Sequence, residues 1–147
     1  MLSPGAPPGL RQNGGMSAPA DDTVTAFEAV GGHPFFERLV AAFYRRVALD
    51  PLLRPMYPEA DLAPAAERLR LFLEQYWGGP TTYSEQRGHP RLRMRHAPYP
   101  VDDGASDRWL ELMRAALDEQ QLPAELDELL WNYFSLSAPA MINQRPA

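Results

Sequence analysis

Apolar residues recur at helical spacing in two stretches of the first half of the chain. The first stretch follows Gly31-Gly32 and ends before Asp50-Pro51. The second opens near Pro64, a residue tolerated in the first turn of a helix, and ends at Gly78-Gly79-Pro80. Their apolar positions are Pro34, Phe35, Phe36, Leu39, Val40, Phe43, Tyr44 and Val47, then Leu69, Phe72, Leu73 and Tyr76. Each pattern predicts an amphipathic helix with one buried face.

The same spacing returns twice in the second half, after Asp102-Asp103 and after Pro123. The apolar sets are Trp109, Leu112, Met113, Ala116 and Leu117, then Leu126, Leu129, Leu130, Tyr133, Phe134 and Leu136. Pro139 interrupts the last pattern and is expected to kink or end that helix, because proline lacks a backbone donor and clashes with the preceding turn. The pattern therefore predicts an all-α fold with four main helices in two antiparallel pairs.

The stretch from Pro80 to Pro100 sustains no helical period. It predicts a long irregular connection between the two helix pairs, and connections of this length in compact domains are usually functional or disordered. Only RLRMR, residues 91–95, alternates with period two. Five residues are too few to favour a strand there.

Composition narrows the class of protein. With 147 residues and 45% hydrophobic residues, the chain is the right size for one domain with one core. Residues 1–22 are rich in Pro, Gly, Ser and Ala and predict a disordered tail, which leaves residues 23–147 as the folded domain. Met16 is an alternative start of translation.

Cysteine and charge exclude several kinds of function. The chain has no cysteine, which removes disulfides, thiolate metal sites and a thiol nucleophile and fits the cytoplasm. No apolar run reaches the roughly 20 residues of a membrane-spanning helix, and the N-terminal stretch lacks the features of an export signal. A net charge of −5 argues against general nucleic-acid binding, since phosphate neutralisation dominates that affinity.

One basic window stands out in this acidic chain. Residues 88–98 read GHPRLRMRHAP and contain Arg91, Arg93, Arg95, His89 and His96. Two interpretations stay open, a solvated loop and a site for something anionic. No aromatic residue alternates with the arginines as a base-stacking surface would need. A small anionic cofactor is therefore the specific alternative to a solvated loop.

Only three histidines are present, and without cysteine they are the main candidates for a transition metal. His33 is placed to cap a helix. A zinc site at His89 and His96 would still lack two of the usual four ligands, apart from nearby Glu85. The tyrosines and tryptophans on apolar faces fit a core, but each carries a polar hydrogen that needs a partner when buried.

A family resemblance joins these features. The run FLEQYWGGPTTYSEQRGHPRLRMRHAPY, residues 72–99, closely resembles the signature of the group II truncated haemoglobins, especially actinobacterial members. The agreement continues through AVGGHPFFERLVAAFYRRVALDPLLRPMYPEADL upstream and DRWLELMRAAL downstream, and spans about residues 27–143. The resemblance implies a two-over-two helical sandwich, a shortened globin fold, that encloses haem b.

The resemblance also assigns roles at the haem. His96 matches the proximal histidine, the ligand to iron, and Arg95 matches the partner of a haem propionate, with Arg68 a second candidate. Arg91 and Arg93 receive no role, so the basic window is only partly explained. Further haem-lining positions implied by the resemblance are Pro58, Leu62, Phe72, Tyr76, Tyr83, Leu92, Val101 and Met113.

The distal pocket implied by the resemblance is polar. Tyr44, Tyr57 and Trp109 match its hydrogen-bonding residues. Ala65 stands where many globins have a distal histidine, and Leu69 lies one turn further on, facing the iron. With no distal histidine, hydrogen bonds to a bound ligand must come from the two tyrosines and from the Trp109 indole.

This pocket implies a function. Aligned O–H and N–H donors stabilise the negative charge that bound dioxygen carries, much as they stabilise any developing oxyanion. We therefore expect reversible binding of dioxygen and other diatomic molecules with slow release. The alternative is a haem enzyme that oxidises nitric oxide to nitrate or reacts with peroxide, supplied by a separate reductase. A helical interaction module without haem is a third interpretation, and the oligomeric state is expected to be monomer or homodimer.

Overall fold

The computed structural model describes residues 24–96 and 101–143, and all regular secondary structure within these ranges is helical. The elements are α1 (Ala26–Ala29), α2 (His33–Val47), a 3₁₀ turn (Arg54–Met56), α3 (Ala63–Tyr76), α4 (Thr82–Arg87), α5 (Leu92–His96), α6 (Asp103–Gln120) and α7 (Ala124–Ala140). The predicted tail, residues 1–22, lies outside the described residues.

The four long helices are those that the hydrophobic period predicts. Helix α2 packs against α3 and α6, and α6 packs against α7, so the pairs α2–α3 and α6–α7 form two stacked layers. The all-α sandwich is confirmed. The core between the layers is rich in large fully buried side chains, which are Trp77, Phe35, Phe36, Phe43, Phe134, Leu39, Leu73, Met113, Leu117, Leu130 and Val47.

The sequence signals at the ends of the late helices act as expected. The Asp102 carboxylate accepts a hydrogen bond of 2.8 Å from the backbone N–H of Ala105 and so caps α6. Pro123 is the N-cap residue of α7. Helix α7 continues one residue past Pro139 and ends at Ala140, which confirms the expected termination near this proline.

The connection between the pairs differs from the prediction. Residues 82–87 and 92–96 form the short helices α4 and α5, so an irregular stretch from Pro80 to Pro100 is wrong in part. The RLRMR segment is helical from Leu92 onward, and Arg91 has a positive φ of 46°. Five or six residues make fewer than two helical turns, too few for a hydrophobic period to be visible in the sequence. Residues 97–100 lie outside the described ranges.

The prediction for His33 is also wrong. Gly32 is the N-cap residue of α2, and no side chain caps it. His33 is the first residue of the helix, and its Nδ1 lies 2.8 Å from Oε2 of the buried Glu74 carboxylate on α3. Arg70 donates a hydrogen bond of 3.1 Å to the same carboxylate oxygen. The histidine therefore helps to join α2 to α3, and buried carboxylates generally require such partners.

Candidate functional site

A cavity of about 520 Å³ lies between the two helix layers and is bordered by α4 and α5. This volume falls within the range of small-molecule and cofactor sites. Thirteen of the residues singled out from the sequence line it, namely Tyr44, Tyr57, Pro58, Ala65, Arg68, Leu69, Phe72, Tyr83, Leu92, Arg95, His96, Val101 and Trp109. The fold therefore brings the polar aromatic residues, the histidine and two arginines to one chamber.

Three polar aromatic side chains meet in this cavity. The Tyr44 and Tyr57 rings are 5.6 Å apart and nearly perpendicular, and Trp109 lies beside Phe43, with the ring centroids 4.9 Å apart. Tyr57 is hydrogen-bonded to both Tyr44 and Trp109. Burial raises the pKa of the Tyr44 hydroxyl well above its ordinary value and also raises that of Tyr57. Both tyrosines are thus neutral donors across the physiological range.

Chemistry fixes one direction among these hydrogen bonds. The Trp109 indole N–H can only donate, so the Tyr57 oxygen accepts from it. A hydroxyl both donates and accepts, so either tyrosine can be the donor in the bond between Tyr44 and Tyr57. The three polar aromatic residues therefore form one hydrogen-bonded group at the cavity.

His96 is the only histidine that lines the cavity. Its Nδ1 lies 2.8 Å from the carbonyl oxygen of Leu92, one turn earlier in α5. A carbonyl can only accept, so Nδ1 carries the proton and Nε2 keeps its lone pair for a metal ion. Such a bond fixes the ring orientation in the way typical of metal-binding histidines. Asn143 adds support from beyond α7, because its side-chain amide donates to the His96 carbonyl at 3.1 Å.

The arginines at the cavity are held in different ways. Arg95 donates from Nε to the Pro90 carbonyl (2.7 Å) and from Nη2 to the Arg87 carbonyl (2.8 Å), so much of its donor capacity fixes the loop before α5. Arg68 lies 3.4 Å from the Glu59 carboxylate, and both side chains are about 39% exposed. Arg87 also lines the cavity, although the sequence did not single it out. Three cationic side chains thus line a chamber whose other walls are mostly aromatic and aliphatic.

Three sequence-derived lining positions lie elsewhere. Met113 is fully buried in the core, and Leu62 is the N-cap residue of α3. The Tyr76 ring packs on Tyr133, with the ring centroids 4.3 Å apart. None of these three residues lines the cavity.

Several lining residues were not singled out from the sequence. They are Leu53, Met56, Glu59, Leu73, Arg87, Ala105, Ser106, Tyr133, Phe134, Ser137, Ala138 and Met141. Among them, the buried Ser106 hydroxyl has no hydrogen-bond partner within the described residues. Tyr133, Ser137 and Met141 are spaced four residues apart, with Phe134 beside them, as on one face of a helix. This spacing predicts that the face is buried, but it does not predict that the face borders a cavity.

The donor set suits a haem group. Within residues 24–96 and 101–143, no three side chains from His, Cys, Asp and Glu lie together as a metal cluster, so a zinc site at His89 and His96 lacks further protein ligands there. One imidazole with a free Nε2, aromatic walls and arginines at the edge match an iron macrocycle that bears two carboxylates.

A two-layer helical sandwich around such a chamber defines a truncated globin. The chain belongs to the bacterial-like globin family, whose family model matches residues 25–143, and its relatives place it among the group II truncated haemoglobins. Membership implies a haem-binding globin. In the described part of the chain, no helix has both the length and the apolar character needed to cross a membrane.

Three relatives illustrate the similarity. The group 2 truncated hemoglobin YjbI of Bacillus subtilis is 43% identical over 121 residues, which cover 82% of this chain and 90% of that protein. The thermostable hemoglobin of the actinobacterium Thermobifida fusca is 62% identical with a TM-score of 0.81, and the match covers 82% of this chain and 98% of that structure. The truncated oxygen-avid haemoglobin of Bacillus subtilis is 42% identical with a TM-score of 0.77, covering 82% of this chain and 100% of that structure.

Proposed function

We propose that this protein holds haem b in the cavity, with Nε2 of His96 as the ligand to iron, and that it reversibly binds dioxygen and other diatomic molecules. The observation that carries the proposal is the hydrogen bond from His96 Nδ1 to the Leu92 carbonyl in a wall of an aromatic cavity. It fixes the imidazole tautomer that a metal requires. Haem, when bound, supplies a ferrous iron that takes a diatomic molecule and shifts negative charge onto it.

Tyr57 is the principal donor to a dioxygen molecule in this pocket. We assign this role to Tyr57 because its oxygen accepts from the Trp109 N–H, which leaves its own proton for a ligand when Tyr44 donates to the same oxygen. Accepting hydrogen bonds also polarises the hydroxyl and strengthens its donation. A hydrogen bond to a charged group contributes about 1.5–3 kcal/mol. Slow release of dioxygen follows from this stabilisation.

The arginines contribute to holding the carboxylates of the macrocycle. Arg68 and Arg87 line the cavity with exposed or half-exposed guanidinium groups, which reach carboxylates without the cost of full burial. Arg95 uses Nε and Nη2 on backbone carbonyls, and its remaining nitrogen is available to a propionate. Arg95 therefore has two roles, to fix the loop before α5 and to present one donor.

The same donors support a second candidate function, an enzyme that oxidises nitric oxide to nitrate or reacts with peroxide. The specific observation is that Tyr44, Tyr57 and Trp109 meet at the cavity, and fixed donors assist the polarisation of an O–O bond. A separate reductase would have to return the iron to the ferrous state. Steady turnover with such a reductase supports this candidate, whereas a stable oxygenated protein with negligible turnover supports binding. The cytoplasm suits both, since the chain has no cysteine.

The decisive experiment is an absorption spectrum of purified His96→Ala beside His89→Ala. His96 lines the cavity, whereas His89 is exposed and does not. His96→Ala is expected to lose most of its haem and its Soret band, because iron coordination is gone, and His89→Ala is expected to keep both. Unchanged ferric, ferrous and oxygenated spectra in His96→Ala would refute the assignment of this ligand.

A further inference from the structure

Charge is distributed unevenly along the chain. Residues 86–101 contain four arginines and none of the 19 acidic residues. Outside this window ten arginines stand against nineteen carboxylates, a net charge of −9. The segment that carries His96 is therefore a positive region on a negative molecule. Such an asymmetry creates a field that orients a charged partner as it approaches.

Most of the other arginines that the structure describes are paired with carboxylates. The paired residues are Arg45, Arg46, Arg68, Arg70, Arg108 and Arg114, whereas Arg54 bonds backbone carbonyls. In the described parts of the molecule no carboxylate lies within ion-pair distance of Arg87, Arg91, Arg93 or Arg95. Arg93 and Arg95 bond only backbone carbonyls. Among the described residues the positive charge of Arg91 and Arg93 is therefore not neutralised.

Helix α5 presents this charge to solvent beside the candidate iron ligand. Leu92, Arg95 and His96 line the cavity, so Arg93 and Met94 are the helix positions that face away from it. Arg91 and Arg93 are exposed. Met94, which follows Arg93 in the helix, is 57% exposed. The guanidinium carbons of Arg87 and Arg95 lie over the Tyr83 ring, 6.0 and 5.9 Å from its centroid. We call the surface of Arg91, Arg93 and Met94 the arginine face.

We propose that the arginine face is the docking site of a small acidic electron-transfer protein. This inference rests on the proposed function, since it names the place at which the separate reductant meets the haem protein. An apolar centre such as Met94 within a charged rim is typical of protein interfaces, in which Met and Arg are enriched. Weak electron-transfer complexes are also small, below about 1,200 Å², which one five-residue helix and its flanks can accommodate.

Charge favours a small acidic protein over an anionic membrane or nucleic acid. Screening at physiological ionic strength limits surface charges to a range of about 8 Å. A small convex partner contacts the arginine face and little of the remaining surface. A flat bilayer or a long polyanion also approaches the rest of the molecule, in which carboxylates outnumber arginines.

The electron transfer itself is simple. A reduced flavin or iron–sulfur protein loses one electron and is oxidised by one unit. Haem held by His96 would take up that electron, with its iron passing from ferric to ferrous, and no proton or bond would be exchanged. Met94 and Arg95 directly precede His96 in α5, so the docked partner lies two residues from the iron ligand along the chain.

The test uses haem-loaded protein and reduced flavodoxin, a small acidic flavin protein, under anaerobic conditions. The dissociation constant is measured by calorimetry with oxidised flavodoxin at several salt concentrations, and electron transfer is followed by absorbance. The variants are Arg91→Glu and Arg93→Glu. Arg38→Glu is the matched control, because Arg38 is an exposed residue on α2 that undergoes the same change of charge.

Each reversal on the arginine face is expected to weaken binding roughly three- to tenfold and to slow second-order electron transfer similarly. Arg38→Glu is expected to change either by less than about twofold. Added salt weakens binding to the unaltered protein and has less effect on the variants. Haem content and melting temperature, measured for each variant, separate docking from folding, since Arg93 also bonds the Ala140 carbonyl at 3.0 Å.

The arginine face would be refuted as a docking site if all three substitutions changed the dissociation constant equally, or if that constant did not depend on salt concentration. Binding to phosphatidylserine vesicles without binding to flavodoxin would overturn it in favour of a membrane. The absorption spectrum of the unaltered protein is recorded first, because a missing Soret band refutes the proposed function itself. A haem-loaded protein whose affinity for flavodoxin does not depend on Arg91 or Arg93 refutes only the docking site.

Discussion

At the scale of single residues, the function proposed for this globin depends on one phenolic oxygen. Tyr57 accepts a hydrogen bond from Trp109 and is also bonded to Tyr44, and in the proposed function it donates its own proton to a ligand. From the sequence, Trp109 was expected to donate directly to the ligand. In the structure its N–H is bonded to Tyr57, so the tryptophan acts on the ligand through the tyrosine in this arrangement.

Replacement of Tyr57 tests the direct donor. Tyr57→Phe keeps most of the ring and removes the proton, so dioxygen dissociation is expected to become roughly ten- to a hundredfold faster, the equivalent of about 1.5–3 kcal/mol. Carbon monoxide carries less negative charge on its outer atom, so its dissociation is expected to change less. Stopped-flow measurement of both ligands decides this, and equal acceleration of the two would indicate a steric role for Tyr57.

The role of Trp109 is tested by a double-mutant cycle. If the indole acts through Tyr57, Trp109→Phe accelerates dioxygen dissociation in the unaltered protein but has little further effect in Tyr57→Phe. If the indole turns to the ligand itself, its effect persists in both backgrounds. The four dissociation rates therefore distinguish the indirect role from the direct one.

At the scale of elements, the short helices determine where the histidine stands. Helix α4 is fastened to α3 by two hydrogen bonds, from Gln75 Nε2 to Ser84 Oγ at 2.7 Å and from the Ser84 N–H to Gln75 Oε1 at 2.9 Å. Helix α5 follows after Gly88, and Arg95 ties it back to the carbonyls of Arg87 and Pro90. His96 is thus positioned by a chain of polar contacts that starts on α3.

The end of α3 depends on close packing against the segment before α2. Gly78 has a φ of +102°, and a Cβ there would lie 2.8 Å from Cβ of Thr25, the residue that caps α1. Gly88 also has a positive φ, +77°, but a Cβ there would meet nothing within 4 Å. The two glycines therefore share backbone strain and differ in packing.

Alanine at these two positions separates strain from packing. Gly88→Ala is expected to lower the free energy of unfolding by about 1–3 kcal/mol, because φ 77° with ψ −156° is a region that essentially only glycine occupies. Gly78→Ala carries the cost of a positive φ together with about 1–3 kcal/mol of overpacking against Thr25. Urea denaturation of both variants measures the difference, and equal losses would show that Thr25 moves away freely.

At the scale of the whole molecule, folding buries several tyrosines around the cavity and its walls. Burial raises the pKa of Tyr44, Tyr57 and Tyr133. Tyr44 and Tyr57 are only half-buried in accessible surface because their rings border the cavity. Their hydroxyls nevertheless lie deep inside it, and we attribute the raised pKa values to that depth.

These raised pKa values predict a loss of stability in alkali. An unfolded tyrosine ionises near pH 10, while the folded hydroxyls keep their protons to higher pH. Above about pH 10 the unfolded state therefore binds fewer protons, and the free energy of unfolding falls by up to about 1.4 kcal/mol per pH unit for each such group. Below pH 10 their contribution is unchanged. Denaturation at pH 9, 10 and 11 should show a shallower fall in Tyr44→Phe than in the unaltered protein, and identical slopes would contradict the burial of this hydroxyl.

The sequence by itself determined the architecture and most of the chamber's walls. Long amphipathic helices have a period of 3.6 residues that persists over several turns, so α2, α3, α6 and α7 were visible from their apolar positions. The family resemblance added candidate cavity residues, thirteen of which border the cavity. Composition predicts one domain, and the absence of cysteine excludes thiol chemistry.

The tertiary structure alone decided the details that depend on contacts between distant segments. Helices α4 and α5 have fewer than two turns each and are stabilised by contacts to α3 and α7, which a local pattern does not contain. The hydrogen bonds among Tyr44, Tyr57 and Trp109 and the α7 wall formed by Tyr133 and Ser137 arise only when distant parts of the chain pack together. A periodic sequence specifies which face of a helix is buried, whereas packing decides which of those buried atoms face each other and which face a cavity.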